Sequence, residues 1–424
     1  MRPLPSGSRY RLASLAAFVL LAACGQVIPQ NGVAPLPPSP PVVAAPPSTA
    51  LALGVTPGPD LATLGLTAQT AAPALTAFRK SCPRLLTRFD NSGLTHPGDW
   101  QAVCAAAANW PDGDAADFFT SQFETVTVGT GTTYVTGYFE PQIAGTRDHR
   151  PGFDVPVYGV PPDLVHARAG DAPLKPNGQT PFGRYDETGH FVPYYDRAAI
   201  ENGQLASQGL EIAWAADPVE FFFLQVQGSG RLVAPDGSVM RIGYAADNGQ
   251  NYTSIGIVMR NAGLIGTAPG QYPGSMQGIM RYLREQPDAA RALMDQNKSW
   301  VFFREITGDG PIGALGVPVR AHVSLAADPL FVPLGAPVFI SIDRPAAPAP
   351  TTSAAPANAP TVTGLWVAQD TGGAIKGANR FDSFWGSGPD ARLTAGGMAS
   401  RGSAWVLLPK GTLSRLMPPH LNEP

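Results

Sequence analysis

The sequence is poor in charged residues and lacks any long run of basic ones. Of its 424 residues, 14% are Asp, Glu, Lys or Arg, and the 29 basic residues are scattered along the chain. Domains that bind nucleic acid concentrate lysine and arginine in a patch or stripe. We therefore expect no nucleic-acid partner.

The sequence also lacks the patterns that hold metals and phosphates. Its six histidines are scattered, and no His, Cys and Asp spacing matches a metal site. No glycine-rich motif of the kind that cradles phosphate occurs. We therefore predict neither a metal nor a cofactor.

The first 23 residues have the pattern of a signal peptide. Arginines near the start precede an apolar run, residues 12–23, that is too short to span a bilayer. The run ends in Leu21-Ala22-Ala23-Cys24, which resembles the lipobox of bacterial lipoproteins. This resemblance implies that Cys24 carries lipid and anchors the chain at the periplasmic face of the outer membrane. An ordinary secretory signal that precedes a cysteine remains the alternative.

Beyond Cys24, the sequence has only two cysteines, Cys82 and Cys104. An oxidising periplasm favours their pairing in a disulfide, and the alternative is two buried free thiols. We predict the disulfide.

Glycine and proline are abundant, at 47 and 45 residues, which favours a β-rich, loop-rich protein over a helical bundle. Residues 24–61 form a Pro/Ala-rich tether, since proline at this density favours an extended chain without a core. A second low-complexity stretch, residues 345–361, is interpreted as a flexible insert in a hairpin.

Helical and strand patterns alternate along the rest of the chain. Helices are predicted at Ala74–Leu86, Asp99–Trp110, Asp114–Phe123, Tyr252–Leu264 and Ser275–Asn297, the last broken near Pro287. Strands are predicted at Thr125–Val128, Thr132–Phe139, Val155–Val160, Glu220–Gln227, Ser299–Glu305, Ala336–Ile342, Leu365–Ala368 and Trp405–Leu408.

The stretch from Gly364 to Gly388 is the strongest candidate site. Asp370 and Asp382 are both predicted at strand ends, close to glycines and aromatic residues. Such a pair suits acid catalysis on a sugar, and Gly373 and Lys376 between them are candidate contacts. The alternative is two turn aspartates that cap a β-hairpin.

Two further motifs place polar groups beside aromatic rings or after a strand. The first, TGYFEP, ends a predicted strand at a proline, and the second, QGSG, has the alternative of a simple hairpin turn. Flat rings and polar loops are typical sugar contacts. The candidate sugar-binding residues here are Thr136, Gly137, Tyr138, Glu140, Gln227, Gly228 and Ser229.

Six motifs in order resemble the membrane-bound lytic murein transglycosylase A family, including its three-aspartate (3D) domain. They are TGYFEP (136–141), FFLQVQGSGRL (222–232), RIGYAADNGQNYTSIG (241–256), SWVFFRE (299–305), SLAADP (324–329) and VAQDTGGAIKGANRFDSFWGSG (367–388). The resemblance implies a mainly β fold. A double-psi β-barrel, residues 62–140 with 298–424, would contain a smaller inserted β-barrel, residues 141–297, with a groove between the two.

The family resemblance also implies a chemistry. Its members cleave the β-1,4 bond between N-acetylmuramic acid and N-acetylglucosamine in peptidoglycan, leaving 1,6-anhydromuramic acid ends. Asp382 would be the single acid/base, with its pKa raised by burial among Phe381, Phe384 and Trp385. Asp370 would support it, and Asp328 would shape the barrel.

The expected partners are peptidoglycan glycan strands and, through the lipid, the membrane. The expected activity is that of an exotransglycosylase, a lyase acting on polysaccharide, although the residues alone do not separate end-wise from mid-strand cleavage. A cell-wall synthesis complex is a further candidate partner. Two alternatives stay open: a non-catalytic peptidoglycan-binding lipoprotein, and a glycoside hydrolase with Asp370 or Glu140 as its second carboxylate.

Overall fold

The structure is a computed structural model that describes residues 49–175, 178–308, 310–343 and 361–417. These residues belong to one compact unit. The predicted signal peptide, Cys24, most of the tether and nearly all of the 345–361 insert lie outside them. In the ranges that are described, no helix is long and apolar enough to cross a membrane.

In the described ranges, short strands are the most numerous regular elements. They are β1 (Val55–Pro57), β2 (Phe123–Val128), β3 (Thr132–Glu140), β4 (Gln142–Thr146), β5 (Val155–Tyr158), β6 (Val165–His166), β7 (Phe182–Tyr185), β8 (Phe191–Val192), β9 (Glu211–Ala215), β10 (Ser229–Val233), β11 (Val239–Asp247), β12 (Val301–Glu305), β13 (Ser324–Ala327), β14 (Pro337–Asp343), β15 (Thr361–Asp370), β16 (Arg380–Ser387) and β17 (Ala399–Pro409).

Helices are fewer than strands in the described ranges. They are α1 (Ala50–Leu53), α2 (Ala68–Leu85), α3 (Gln101–Asn109), α4 (Ala115–Gln122), α5 (Arg197–Ala199), α6 (Pro218–Gln227), α7 (Ile255–Asn261), α8 (Met276–Glu285), α9 (Pro287–Met294), α10 (Pro389–Gly397) and α11 (Thr412–Leu416). The predicted break near Pro287 separates α8 from α9. The expectation of a mainly β fold with some helices is confirmed.

The larger sheet closes on itself. Its order is β1-β2-β17-β14-β15-β13-β16-β3, and β17 also pairs with β3. The last pairing joins β17, β14, β15, β13, β16 and β3 into a ring. Within the ring, β13 runs parallel to β15 and β16 runs parallel to β3. Because closure removes sheet edges, this ring is a rigid support; its double-psi connectivity stays a prediction.

Alternation along β3 and β16 separates a core face from an outer face. Val135 and Phe381 point into the main hydrophobic core, each at most 1% exposed. Their strand neighbours Tyr134, Thr136 and Asp382 are half-buried on the opposite face. Since successive side chains on a strand point to opposite faces, the candidate acid sits outside the barrel core.

The N-terminal helices cover one side of the closed sheet. Phe78 of α2 packs its ring against Phe118 and Phe123, at centroid distances of 6.0 and 5.5 Å. The structure joins Cys82 of α2 to Cys104 of α3, with a Cα–Cα distance of 5.6 Å. The two helices are thereby held against each other as well as against the sheet.

A second sheet has the order β12-β11-β10-β4-β9-β5, and β6, β7 and β8 form a small third one. All strands of the second sheet lie between β3 and β13 in the sequence, as expected for the predicted insertion. It includes β12 (Val301–Glu305), which pairs with β11. The sheet therefore ends at Glu305, beyond the boundary predicted at Asn297, and the division into two domains remains a prediction.

The predicted strand Glu220–Gln227 is wrong, because these residues form helix α6. Asp217 accepts hydrogen bonds from the backbone N–H groups of Val219 and Glu220, and Pro218 occupies the first helical position. Both features start helices. The helix is buried on most of its surface, so its run of phenylalanines has no helical periodicity and resembles a buried strand.

Candidate active site

The candidate site lies on the outer face of three neighbouring strands, β16, β3 and β17. Cross-strand pairing arranges their outward side chains in rows. Asp382 lies opposite Thr136 in one row, Arg380 lies opposite Tyr134 in the row before it, and Phe384 lies opposite Tyr138 in the row after it. Residues of one row are direct neighbours in space, so the rows fix what surrounds Asp382.

The prediction that Asp382 lies at a strand end is wrong, because the residue lies inside β16. There it is paired with Thr136 on one side and with Ala326 on the other. The local glycines and the polar residue itself resemble a turn, whereas the ladder on both sides is formed by remote strands. A strand holds the carboxylate more rigidly than a turn does, which suits a group that transfers protons.

A short hydrogen-bond chain orients the Asp382 carboxyl group. Arg380 Nη2 donates to Thr136 Oγ1 at 2.9 Å, and Thr136 Oγ1 donates to Asp382 Oδ1 at 2.8 Å. The threonine oxygen accepts the Arg380 N–H, and its own single hydrogen is then donated to Asp382. Asp382 Oδ1 therefore accepts a hydrogen bond, and the proton of the neutral acid belongs on Oδ2.

Burial raises the pKa of Asp382 from 3.8 to about 6. The Asp370 carboxylate acts in the same direction, whereas the Thr136 hydrogen bond and the Arg380 charge oppose the shift. Desolvation dominates because a carboxylate loses more hydration energy than one donor returns. A general acid needs a pKa near the working pH, and Asp382 meets this requirement.

The rings around Asp382 are not all those expected. Phe381 faces the barrel core, on the other side of the strand. Phe384 lies on the face of Asp382 and packs with Tyr138, at 5.0 Å between ring centroids. The predicted cause, burial, therefore holds, but through Phe384 and Tyr138 instead of Phe381.

Asp370 ends β15 and is more fully hydrogen-bonded than Asp382. Its Oδ1 accepts from the backbone N–H of Ala314 at 2.8 Å and of Thr371 at 2.9 Å, and its Oδ2 accepts from Tyr138 Oη at 3.1 Å. Burial raises the pKa of Asp370, and these three donors act against the rise. Asp370 is thus a fixed carboxyl group beside the acid.

Tyr252 lies close to the candidate site, although the sequence alone does not single it out. It lies between β11 and α7, and a Cβ placed on Gly373 would be 3.1 Å from the Tyr252 Cβ. Burial raises the pKa of Tyr252, and the Asp382 charge raises it further. A tyrosine that follows the second sheet therefore faces the acid on the first. Tyr252 belongs to the motif GQNYTSIG, but only the long-range packing reveals its position.

Glu140 is not placed to contact a sugar. It is 1% exposed, and its two oxygens lie 2.8 Å from Arg231 Nη2 and from Arg241 Nε. Glu140 ends β3, whereas the arginines belong to β10 and β11. A buried carboxylate between two cations is strongly held, so Glu140 is a joint between the two sheets, and the sugar contact predicted for it is wrong.

Four of the other predicted sugar contacts have structural roles. Gln227 Oε1 accepts from the Phe139 backbone N–H at 3.0 Å, while Gly228 adopts φ of 79° at the end of α6 and Ser229 begins β10. A Cβ on Gly137 would lie 2.7 Å from Ala395 Cα, so that glycine permits close packing.

The segment between Asp370 and Asp382 has exposed residues and is held by a hydrogen bond to a buried aspartate, Asp328. Gly373 and Lys376 are exposed. Asp328, only 4% exposed, accepts from the backbone N–H of Gly377 at 2.8 Å and of Leu330 at 3.1 Å. Asp328 therefore fixes this segment to the end of β13.

Across the described ranges, no group of His, Cys, Asp and Glu has the arrangement of a metal site.

Two protein-family models match the chain. The model described as the MltA specific insert domain matches residues 134–304, and the 3D domain model matches residues 323–408. The membrane-bound lytic murein transglycosylase A of Vibrio cholerae is 30% identical over 279 residues, which are 65% of this chain and 66% of that protein. The chain thus spans about two thirds of that relative's length.

Solved structures agree with these matches. The crystal structure of MltA from Neisseria gonorrhoeae superposes with a TM-score of 0.63 at 35% identity, over 84% of this chain and 92% of that one. The structure of Escherichia coli MltA with bound chitohexaose superposes with a TM-score of 0.58 at 25% identity, over 84% and 94% of the two chains.

The raised pKa predicts that ionised Asp382 destabilises the fold. The folded state binds the Asp382 proton more tightly than the unfolded state, so the stability contributed by the neutral acid is present below pH 3.8 and is lost as the pH rises through about 6. Asp382→Asn removes that loss. We expect the variant to gain stability relative to the parent between pH 4 and pH 7, by roughly 1–3 kcal/mol.

Thermal and urea unfolding at both pH values measure this difference. Asp328→Asn is the matched control, because one amide oxygen cannot accept from both backbone N–H groups that Asp328 holds. It should lose roughly 1–3 kcal/mol at either pH. A difference between the Asp382→Asn variant and the parent that does not change with pH would contradict the assignment.

Proposed function

The chain belongs to the membrane-bound lytic murein transglycosylase A family, and from that premise we propose that it is a lytic transglycosylase acting on peptidoglycan. The bond cleaved is the β-1,4 bond between N-acetylmuramic acid and N-acetylglucosamine. The observation that carries the proposal is the single oriented carboxyl of Asp382, whose pKa burial raises to about 6. Escherichia coli MltA binds a glycan, chitohexaose, which supports a glycan substrate.

In the first step, neutral Asp382 protonates the glycosidic oxygen. The Oδ2 proton moves to that oxygen as the bond from C1 of the muramic sugar breaks, and the glucosamine leaves with a free hydroxyl. Positive charge develops at C1, as in other glycosidic cleavages. The Thr136 hydrogen bond then supports the new carboxylate at Oδ1.

In the second step, the muramic sugar's 6-hydroxyl attacks C1. Its proton passes to the Asp382 carboxylate, which restores the neutral acid, and the new C1–O6 bond closes the 1,6-anhydro ring. One aspartate thus performs both proton transfers because the nucleophile belongs to the substrate. A well-oriented internal nucleophile reaches effective molarities of about 10⁵–10⁸ M, so it competes with water.

The contacts of the other carboxylates favour this mechanism over two-carboxylate hydrolysis. Both oxygens of Glu140 face arginines, and Asp370 accepts three hydrogen bonds. A water molecule would have to compete with these partners for the lone pairs of either carboxylate, which disfavours both as the base of a hydrolase. A buried carboxyl group with a raised pKa, oriented by a hydrogen-bond chain, is typical of catalytic sites, which favours catalysis over a protein that only holds glycan.

Asp370 has an electrostatic part in the proposal. In its ionised form, a carboxylate fixed by two backbone N–H groups and the Tyr138 hydroxyl would stabilise the positive charge that develops at C1. Because its donors are rigid, this stabilisation needs no reorganisation during the reaction. Tyr252 approaches from the segment after β11, so the sugar at the reacting bond would lie between the two sheets.

We also propose that Cys24 carries the lipid anchor that holds the enzyme at the outer membrane. The support is the lipobox resemblance of residues 21–24, and each buried CH₂ of an acyl chain adds about 0.8 kcal/mol to membrane binding. Cys24→Ser should therefore move the protein from the membrane fraction to the soluble fraction or leave an uncleaved precursor. Unchanged, fully processed protein in the outer membrane would refute the anchor.

The fate of water tests the proposed chemistry. Digestion of peptidoglycan in ¹⁸O-water should give unlabelled anhydromuramoyl products, because no water molecule enters the reaction. Mass spectrometry separates them from hydrolysed products, which are one water heavier and carry ¹⁸O at the reducing end. Labelled reducing ends as the main product would mean hydrolysis and would overturn the mechanism.

A further inference from the structure

A row of two arginines and a tyrosine lies next to the candidate acid. Tyr134 on β3 is directly opposite Arg380 on β16 and Arg401 on β17. Both guanidinium groups contact the tyrosine ring, at 5.0 Å and 5.2 Å from its centroid. The row is therefore a pre-formed set of two cations with one aromatic ring between them.

Neither cation of this row lies within direct ion-pair distance of a carboxylate in the described part of the chain. Across residues 49–175, 178–308, 310–343 and 361–417, neither Arg380 nor Arg401 forms an ion pair with a carboxylate. Arg380 donates to Thr136 Oγ1 and to the Phe381 carbonyl, and Arg401 is exposed. The Arg380 charge also acts on Asp382, but no carboxylate of the described residues contacts either guanidinium group directly. Two neighbouring guanidinium groups of this kind attract a carboxylate or phosphate.

The outer face of β16, β3 and β17 therefore has an acidic end and a basic end. Asp382 occupies the middle row, the carboxyl group of Asp370 lies beside Tyr138 of the next row, and Arg380 and Arg401 occupy the row on the other side. Rows of outward side chains are about 7 Å apart, because two residues of a strand rise that far. A ligand whose reacting carbon lies at Asp382 would thus place an anionic group at the arginines if that group is about one row spacing from the carbon.

We propose that Arg401 and Arg380 bind a carboxylate carried by the lactyl arm of the muramic sugar. This inference rests on the proposed function and names the feature of the substrate that the site would recognise. The arm is attached at C3, a few bonds from the reacting C1, so its reach is comparable to the row spacing. Glucosamine has no such arm, and the row would therefore place a muramic sugar at the position where C1 reacts.

The carboxylate has two sources that the structure does not separate. In strands without peptide, the lactyl arm itself ends in a carboxylate. In peptide-bearing strands, the arm is an amide, and the carboxylates belong to the peptide. Chitohexaose has neither, so it measures glycan binding without the charge.

Binding of all three glycans to the Asp382→Asn protein, in which substrate is not consumed, tests the proposal. Arg401→Gln should weaken binding of one or both carboxylate-bearing strands by about three- to tenfold, the effect of one partly exposed charged contact. It should leave chitohexaose affinity unchanged. Arg401→Lys should restore part of the loss, and the effect should shrink at high salt.

Arg304→Gln is the matched control, since it removes the same charge from an exposed position on β12 of the second sheet. Loss with lactyl strands alone would assign the free arm, and loss with peptide-bearing strands alone would assign the peptide. Equal effects of the Arg401 and Arg304 changes, or an equal loss for chitohexaose, would overturn the proposal. If no glycan binds to the parent Asp382→Asn protein, the proposed function itself fails.

Discussion

The desolvation of one carboxyl group, that of Asp382, is the constraint on which the site depends. Removing the carboxylate from water raises its pKa to about 6, and the same removal costs folding free energy once the group ionises. A flexible loop would relieve that cost by moving into solvent. Asp382 instead lies within β16, paired on both sides, in a ring of six strands that has no free edge.

The rest of the site follows from the outer face of that ring. Thr136, locked by Arg380, fixes which oxygen of Asp382 accepts and which carries the proton. Asp370 is fixed on one side of the acid, and Arg380 with Arg401 lies on the other. The ion contacts of Glu140 with Arg231 and Arg241 join the second sheet to the first, and Tyr252 approaches the acid from that second sheet.

Local sequence patterns predicted much of this. The mainly β class, the helix break near Pro287, and the choice of Asp370 and Asp382 as the candidate site came from short-range signals and from the motif resemblance. Contacts between residues that are distant in the sequence could not be predicted from these local patterns. Helix α6 has the local pattern of a strand, because a helix buried on most of its surface has no amphipathic period. Glu140 has the local pattern of a sugar contact because its arginine partners are remote in sequence, and Tyr252 has no local signal of its position.

Direct titration of the Asp382 carboxyl tests the central claim. In protein labelled with ¹³C at the aspartate side-chain carboxyl carbon, the Asp382 resonance can be assigned by its absence from the spectrum of the Asp382→Asn variant. Its chemical shift should change with a midpoint near pH 6. A midpoint near the ordinary aspartate value of about 4 would contradict the account, because Asp382 would then be ionised before it could act as the acid.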